Sequence, residues 1–173
     1  MNSTFTNARS GVPAAITLGT VLFMVSTTTV VAQSFVVEKA PEWNAMFDRT
    51  TGWTGADGIF AIPLSGKETY SGNSGDSTLF VFSDTFIGDV GSQGQRLPGS
   101  TLINNTLARL KGAQADPNAI NFVFLKDANG KPQAVVKPET PDSQPDDWYW
   151  LMDGVSINDN VYVFGLRMTE GDG

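Results

Sequence analysis

The chain of 173 residues contains no cysteine and no histidine. Without thiols there is no disulfide framework, no thiolate metal ligand and no sulfur nucleophile. Without imidazole there is no Ser-His-Asp or Cys-His relay and no zinc site of the usual His or Cys kind. Basic residues are scarce too: 11 Lys and Arg against 18 Asp and Glu give a formal net charge of −7. That balance argues against a nucleic-acid partner, because phosphate backbones are held by Lys and Arg. Beyond the first 32 residues no apolar run approaches the roughly 20 residues that a membrane span needs. Carboxylate chemistry remains, alone or with an oxygen-seeking cation such as Ca²⁺; no other cofactor is implied.

Residues 1–32 have the layout of a cleavable signal peptide: a short basic start, an apolar core too brief to span a bilayer, and small residues at the cut. Arg9 is the only charge in the first 37 residues, Ala14 to Val25 is largely apolar, and Val30-Val31-Ala32 precedes Gln33. Ser26-Thr27-Thr28-Thr29 interrupts the apolar run, which counts against an uncleaved anchor. Cleavage after Ala32 is expected, giving a secreted, extracellular chain with no membrane attachment. Its charge is −8, from 10 basic and 18 acidic residues, since only Arg9 is lost.

Short runs of Phe, Val, Ile and Leu between Gly, Pro, Asn, Asp and Ser predict an all-β protein. Strands are expected at Gly58 to Leu64, Thr78 to Phe86, Thr106 to Leu110, Asn121 to Leu125, Gly154 to Ile157 and Val161 to Met168, with one helical turn within Ala40 to Phe47. A Gly/Ser-rich tip at Ser71 to Asp76 and an Asp127-Ala128-Asn129-Gly130 turn make the first four an up-and-down series, the layout of one propeller blade. After the proline-rich connector Lys137 to Pro145 the pattern restarts. Trp53-Thr54-Gly55-Ala56-Asp57-Gly58 leads to Leu79-Phe80-Val81-Phe82, and Tyr149-Trp150-Leu151-Met152-Asp153-Gly154 leads to Val161-Tyr162-Val163-Phe164. Aligned so, the first hairpin loop is 14 residues longer: 25 positions from Asp57 to Phe82 against 11 from Asp153 to Phe164. Loop-length variation is what repeats tolerate.

The expected organisation is a lead-in over 33–51, blade one over 52–136, the connector over 137–147 and the start of blade two over 148–173. Radial closure needs at least four blades, so the chain reads as the N-terminal part of something longer.

In an antiparallel hairpin the start of one strand lies beside the end of the next. Asp57, Ser83-Asp84-Thr85 and Asn104-Asn105-Thr106 are therefore expected on one rim, and Asp153 and Arg167 on the equivalent rim of the second copy. Asp57 and Asp153 would face each other across a channel mouth, ringed by Trp53 and by Tyr149 or Trp150. Carboxylates framed by aromatic rings suit a sugar: acids work at the anomeric carbon and ring faces stack on its C–H surface. A plainer reading stands beside it. Asp-Gly is a common turn, an Asp at a strand start often accepts from nearby amides, Trp53 and Trp150 are ordinary core material, and Arg167 could cap a strand or pair with an acid.

The segments Trp53 to Gly58, Leu79 to Gly88 and Asn104-Asn105-Thr106-Leu107 resemble the opening blade of secreted five-bladed β-propellers of a domain-of-unknown-function type. These are related to endo-D-arabinanases and, more distantly, to arabinanase, xylosidase and fructosidase propellers. The resemblance implies Asp57 as base or nucleophile, Asp153 as a second, tuning acid, and a Glu on a third blade that has no counterpart here. Asp84, in the Ser-Asp-Thr segment, marks the family and is a third catalytic candidate. Trp53, Asn105, Tyr149, Trp150 and Arg167 are the candidate substrate-binding residues. The implied partner is a polysaccharide or glycan, and the implied activity is glycoside-hydrolase-like, incomplete in this stretch alone. The alternative is a non-catalytic carbohydrate-binding or adhesion propeller.

Overall fold

Alternating apolar residues and the turns between them dictate the layout, and a computed structural model describes residues 35–67, 76–112 and 114–171. The expected signal peptide and nearly all of the Ser71 to Asp76 tip lie outside the described residues. The chain divides into two units, Met1–Val37 and Glu38–Gly173.

Among the described residues the second unit is all-β apart from one short helix, and its strands pair antiparallel throughout. Helix α1 (Pro41–Phe47) opens on Pro41, whose missing N–H costs nothing at a helix start, and carries Glu42 in its first turn, where a carboxylate suits the helix dipole. Eleven strands follow: β1 (Thr51–Ala56), β2 (Phe60–Pro63), β3 (Ser77–Phe82), β4 (Thr85–Asp89), β5 (Thr101–Ile103), β6 (Thr106–Lys111), β7 (Ile120–Val123), β8 (Leu125–Lys126), β9 (Pro132–Gln133), β10 (Trp148–Ile157) and β11 (Asn160–Met168).

The expected four-strand series is present as one sheet in the order β2-β3-β6-β7. Alternation along β3 supplies both of its faces. Phe80 and Phe82 join Ala108, Leu110 and Ile120 in a core closed by Met46, Trp53, Ile87 and Ile103. Val81 points the other way and packs with Ile62 against Leu151 of β10. Trp53 is the hub of the first core, its ring centroid 4.5 Å from Phe122 and 5.0 Å from Phe82.

Three expectations need correction. Thr78 to Phe86 is not one strand, because the chain breaks at Ser83-Asp84 and Thr85–Asp89 enters a second sheet, β1-β4-β5. Gly154 to Ile157 is only the end of the ten-residue β10, which passes Met152-Asp153 as an irregularity between Leu151 and Gly154. The register also moves the repeat. Trp53 pairs with Ile87 as Tyr149 pairs with Arg167, and Phe60 pairs with Val81 as Ser156 pairs with Val161. The first loop is therefore 16 residues longer, 21 positions from Phe60 to Val81 against 5 from Ser156 to Val161.

The short second loop is set by Asn158 and Asp159, both at positive φ (50° and 62°), as a two-residue hairpin turn requires. At the expected turn over Asp127 to Gly130, Asp127 accepts the amides of Asn129 and Lys131, and the turn joins β8 to β9.

Candidate functional site

The site grows out of the strand break. Both arms of the first hairpin leave their sheet at one level, where the Asp57 amide donates to the Asp84 carbonyl and the Ser83 amide donates to the Asp57 carbonyl, each at 3.1 Å. Gly58 makes the break possible. Its φ is +59°, and a Cβ there would stand 2.9 Å from the Ser83 hydroxyl.

Beneath the break runs a buried chain of donors. The Trp53 indole donates to the Thr106 hydroxyl at 3.1 Å, and the Thr85 hydroxyl donates to the Ser83 carbonyl at 2.8 Å. The two hydroxyls lie 2.9 Å apart. Since Thr85 has one proton and uses it on Ser83, Thr106 donates to Thr85. Every member is satisfied, which makes this a rigid floor.

Asp57 and Asp84 line one open pocket of about 430 Å³, together with Phe86, Arg96 and Leu102. Asp57 is exposed and Asp84 half-buried. The Trp150 indole donates to Asp84 Oδ1 at 2.9 Å, so β10 helps to orient that carboxylate. Asp57 and Asp84 sharing a rim follows from the expected hairpin geometry. Arg96 does not: it sits in the β4–β5 loop, a Gly-, Ser- and Gln-rich stretch in which one arginine carries no spacing signal. Its guanidinium carbon lies 3.7 Å from the Phe86 ring centroid, and its Nη1 donates to Thr54 Oγ1 at 2.6 Å.

The other candidates lie elsewhere. Asp153 is exposed, caps the amide of Gly154 with its own Oδ1 at 2.8 Å, and does not line the pocket, because β10 runs through its bulge where the first hairpin breaks open. Trp53 is 3% exposed, and its ring is enclosed by Phe47, Phe82 and Phe122. Asn105 is fully buried: its amide donates to the carbonyls of Val136 (2.8 Å) and Tyr149 (2.9 Å), and its oxygen accepts the Val136 amide (2.9 Å). Neither Trp53 nor Asn105 has a surface to offer a ligand, which corrects their expected binding role.

Tyr149 is half-buried and lines a separate apolar cavity of about 520 Å³ with Leu79, Leu107, Leu151, Val161 and Val163. Arg167 is held at the connector by Asp142 (2.9 Å), with Asp147 at 3.8 Å. That pair is exposed. Thr140's hydrogen bond, then Arg167, lowers the Asp142 carboxyl below its ordinary value of 3.8, and Asp142 raises Arg167. Among the described residues no group of three or more acidic side chains converges as a metal site.

The structure is similar to the crystal structure, at 2.80 Å, of a "putative hydrolase" from Bacteroides ovatus ATCC 8483, with a TM-score of 0.56 and 17% sequence identity. The likeness covers 76% of this chain and 34% of that one, so this chain spans about a third of that protein's length, and the likeness is one of fold. No curated protein matches the sequence. The family model described as Domain of unknown function (DUF5005) matches residues 40–173, and the chain belongs to that family.

Proposed function

We propose that this chain forms part of a secreted, glycoside-hydrolase-like β-propeller that acts on polysaccharide through carboxylates, with Asp57 and Asp84 as the working pair. The observation that carries the proposal is their placement on one open pocket wall beside apolar surface from Phe86 and Leu102. A sugar ring offers hydroxyls to carboxylates and C–H faces to rings, so such a wall suits a glycan. Asp57, exposed and unburdened by a side-chain partner among the described residues, is the group to reach an anomeric carbon or its water. Asp84, oriented by Trp150, positions or stabilises. Two hairpins in one register support a radial array of like sheets. The leader at residues 1–32 supports export.

The test is hydrolysis of arabinan, arabinogalactan and fructan by the full-length protein of which this chain forms part, read as new reducing ends. Asp57→Asn should reduce turnover by about 100-fold or more, the usual scale for loss of a general acid or base. Equal turnover by the variant removes Asp57 from the mechanism.

The engagement of Asp84 by Trp150 favours one second reading, a non-catalytic carbohydrate-binding module in which the carboxylates only accept sugar hydroxyls. Glycan binding without turnover, retained in Asp57→Asn, would select it.

A further inference from the structure

Arg96 lines the same pocket as Asp57 and Asp84 yet forms an ion pair with neither, whereas Arg167 pairs with Asp142 and Asp147. What holds Arg96 instead is neutral. Its guanidinium is stacked on Phe86, its Nη1 donates to Thr54, and it lies across the backbone of Gly55, where a Cβ would come within 3.2 Å of Nη2. The loop that carries it is pinned as well. Arg96 bridges to Val90, the Gly91 amide donates to the Gln95 carbonyl, and the Leu97 amide donates to the Asp89 carbonyl.

Fixing a long side chain sacrifices rotamer freedom, and a stacked guanidinium held through one nitrogen keeps its other N–H groups for a partner. An arginine needed only to neutralise Asp57 or Asp84 would gain most by contacting one of them, as Arg167 contacts Asp142. A preorganised, unpaired guanidinium is suited to a planar oxyanion brought by a ligand, because its fork matches the two oxygens of a carboxylate.

We infer that the pocket selects a sugar bearing a carboxylate, a uronic acid residue, with Arg96 as its specificity-determining contact. The inference rests on the carbohydrate reading above and narrows it. Asp57 and Asp84 enforce the orientation: they repel the ligand's carboxylate and accept its hydroxyls, so the acid group turns toward Arg96 while Phe86 and Leu102 meet the C–H surface. The pocket volume of about 430 Å³ lies within the usual range for small-ligand sites, roughly 300–1,000 Å³.

The test is calorimetric titration of the full chain with three probes: tri-galacturonic acid, its methyl ester, and a neutral arabino-oligosaccharide. The acid should bind about tenfold or more tightly than its ester, and the preference should shrink as salt screens the contact. Arg96→Gln should abolish the preference, and Arg96→Lys, which keeps charge without the fork, should keep only part of it. Since Arg96 also packs on Phe86, circular dichroism must show each variant folded. If Arg96→Gln fails that check, the acid-to-ester ratio in the parent and in Arg96→Lys decides. Equal binding of acid and ester, or a preference that survives Arg96→Gln, overturns the assignment of Arg96. Binding of the neutral probe with no acid preference overturns this inference alone. Binding of none of the three overturns the carbohydrate reading with it.

Discussion

The two hairpins share a register and differ in almost everything that surrounds them. In the first, built from β1 to β4, Val81, Phe82 and Thr85 are fully buried and Ile87 is 5% exposed. The matching positions of the second are Val161, Tyr162, Gly165 and Arg167, and β11 is exposed along nearly all of its length. The cause is pairing. β3 has β2 on one edge and β6 on the other, with Met46 of α1 and Trp53, Ile87 and Ile103 of the β1-β4-β5 sheet closing one face, whereas β11 pairs only with β10 among the described strands. One sequence pattern thus makes a core in one place and an open sheet in another. Apolar alternation specifies a strand, and its neighbours decide what burial contributes.

That contrast is most open to attack at Phe82 and Tyr162, which occupy equivalent positions. Phe82→Ala removes a fully buried ring from the Trp53 cluster and should cost about 3–5 kcal/mol. Tyr162 is 55% exposed, and Tyr162→Ala should change stability by about 0.5 kcal/mol. Urea midpoints at constant slope measure both. Similar losses at the two sites would mean that β11 is covered in solution and that the contrast is false.

The second hairpin is also stapled to the rest of the unit, and Asn105 is one staple. It joins the β5–β6 turn to Val136 and to the Tyr149 carbonyl of β10. Asn105→Ala would remove the partner of two part-buried carbonyls and one part-buried amide, at about 1–2 kcal/mol. Hydrogen exchange at the Val136 amide should accelerate with it, and unchanged protection there would show that β10 is held by packing alone.

A weaker staple links the site to the second hairpin: Trp150 to Asp84. A double-mutant cycle of Trp150→Phe and Asp84→Ala should return a coupling of about 1 kcal/mol. Additive effects would free Asp84 from β10 and leave its orientation to the first hairpin.

Much of this was legible in the residues. The four-strand order, the helical turn at Pro41–Phe47, the turn at Asp127 to Gly130, and the meeting of Asp57 with Asp84 all follow from local patterns. The strand break was not. Ser83-Asp84 lies inside an apolar, β-favouring run, and only the demand of two sheets for one strand divides it there. Trp53 and Asn105 were misplaced for a related reason. An aromatic or an amide beside a rim reads the same whether its side chain turns inward or outward, and inward won because Phe47, from before the hairpin, and Phe122, from well after it, arrive to enclose Trp53. Arg96 had no signal, since its partners Thr54 and Phe86 come from two other strands.

The smallest expected effect concerns the position where the hairpins differ most in chemistry. Ile87 fills a core, while its counterpart Arg167 reaches the connector and holds Asp142 in water. Asp142 titrates below its ordinary 3.8, first through Thr140's hydrogen bond and then through Arg167. A carboxyl depressed in the folded state adds stability above its unfolded pKa, and that contribution fades as pH falls through the lower folded value. The window therefore lies below about pH 4, and solvent screening keeps the effect on global stability slight. Carbon-detected NMR of the Asp142 carboxyl should give a midpoint below 3.8. Arg167→Gln and Thr140→Val should each raise it. Added salt should shrink the Arg167 share, which is partly Coulombic, more than the Thr140 share, whose donor carries no charge. If the midpoint ignores Arg167→Gln, the arginine does not dwell on the connector, and the second hairpin ends in solvent with nothing in place of the core that Ile87 enters.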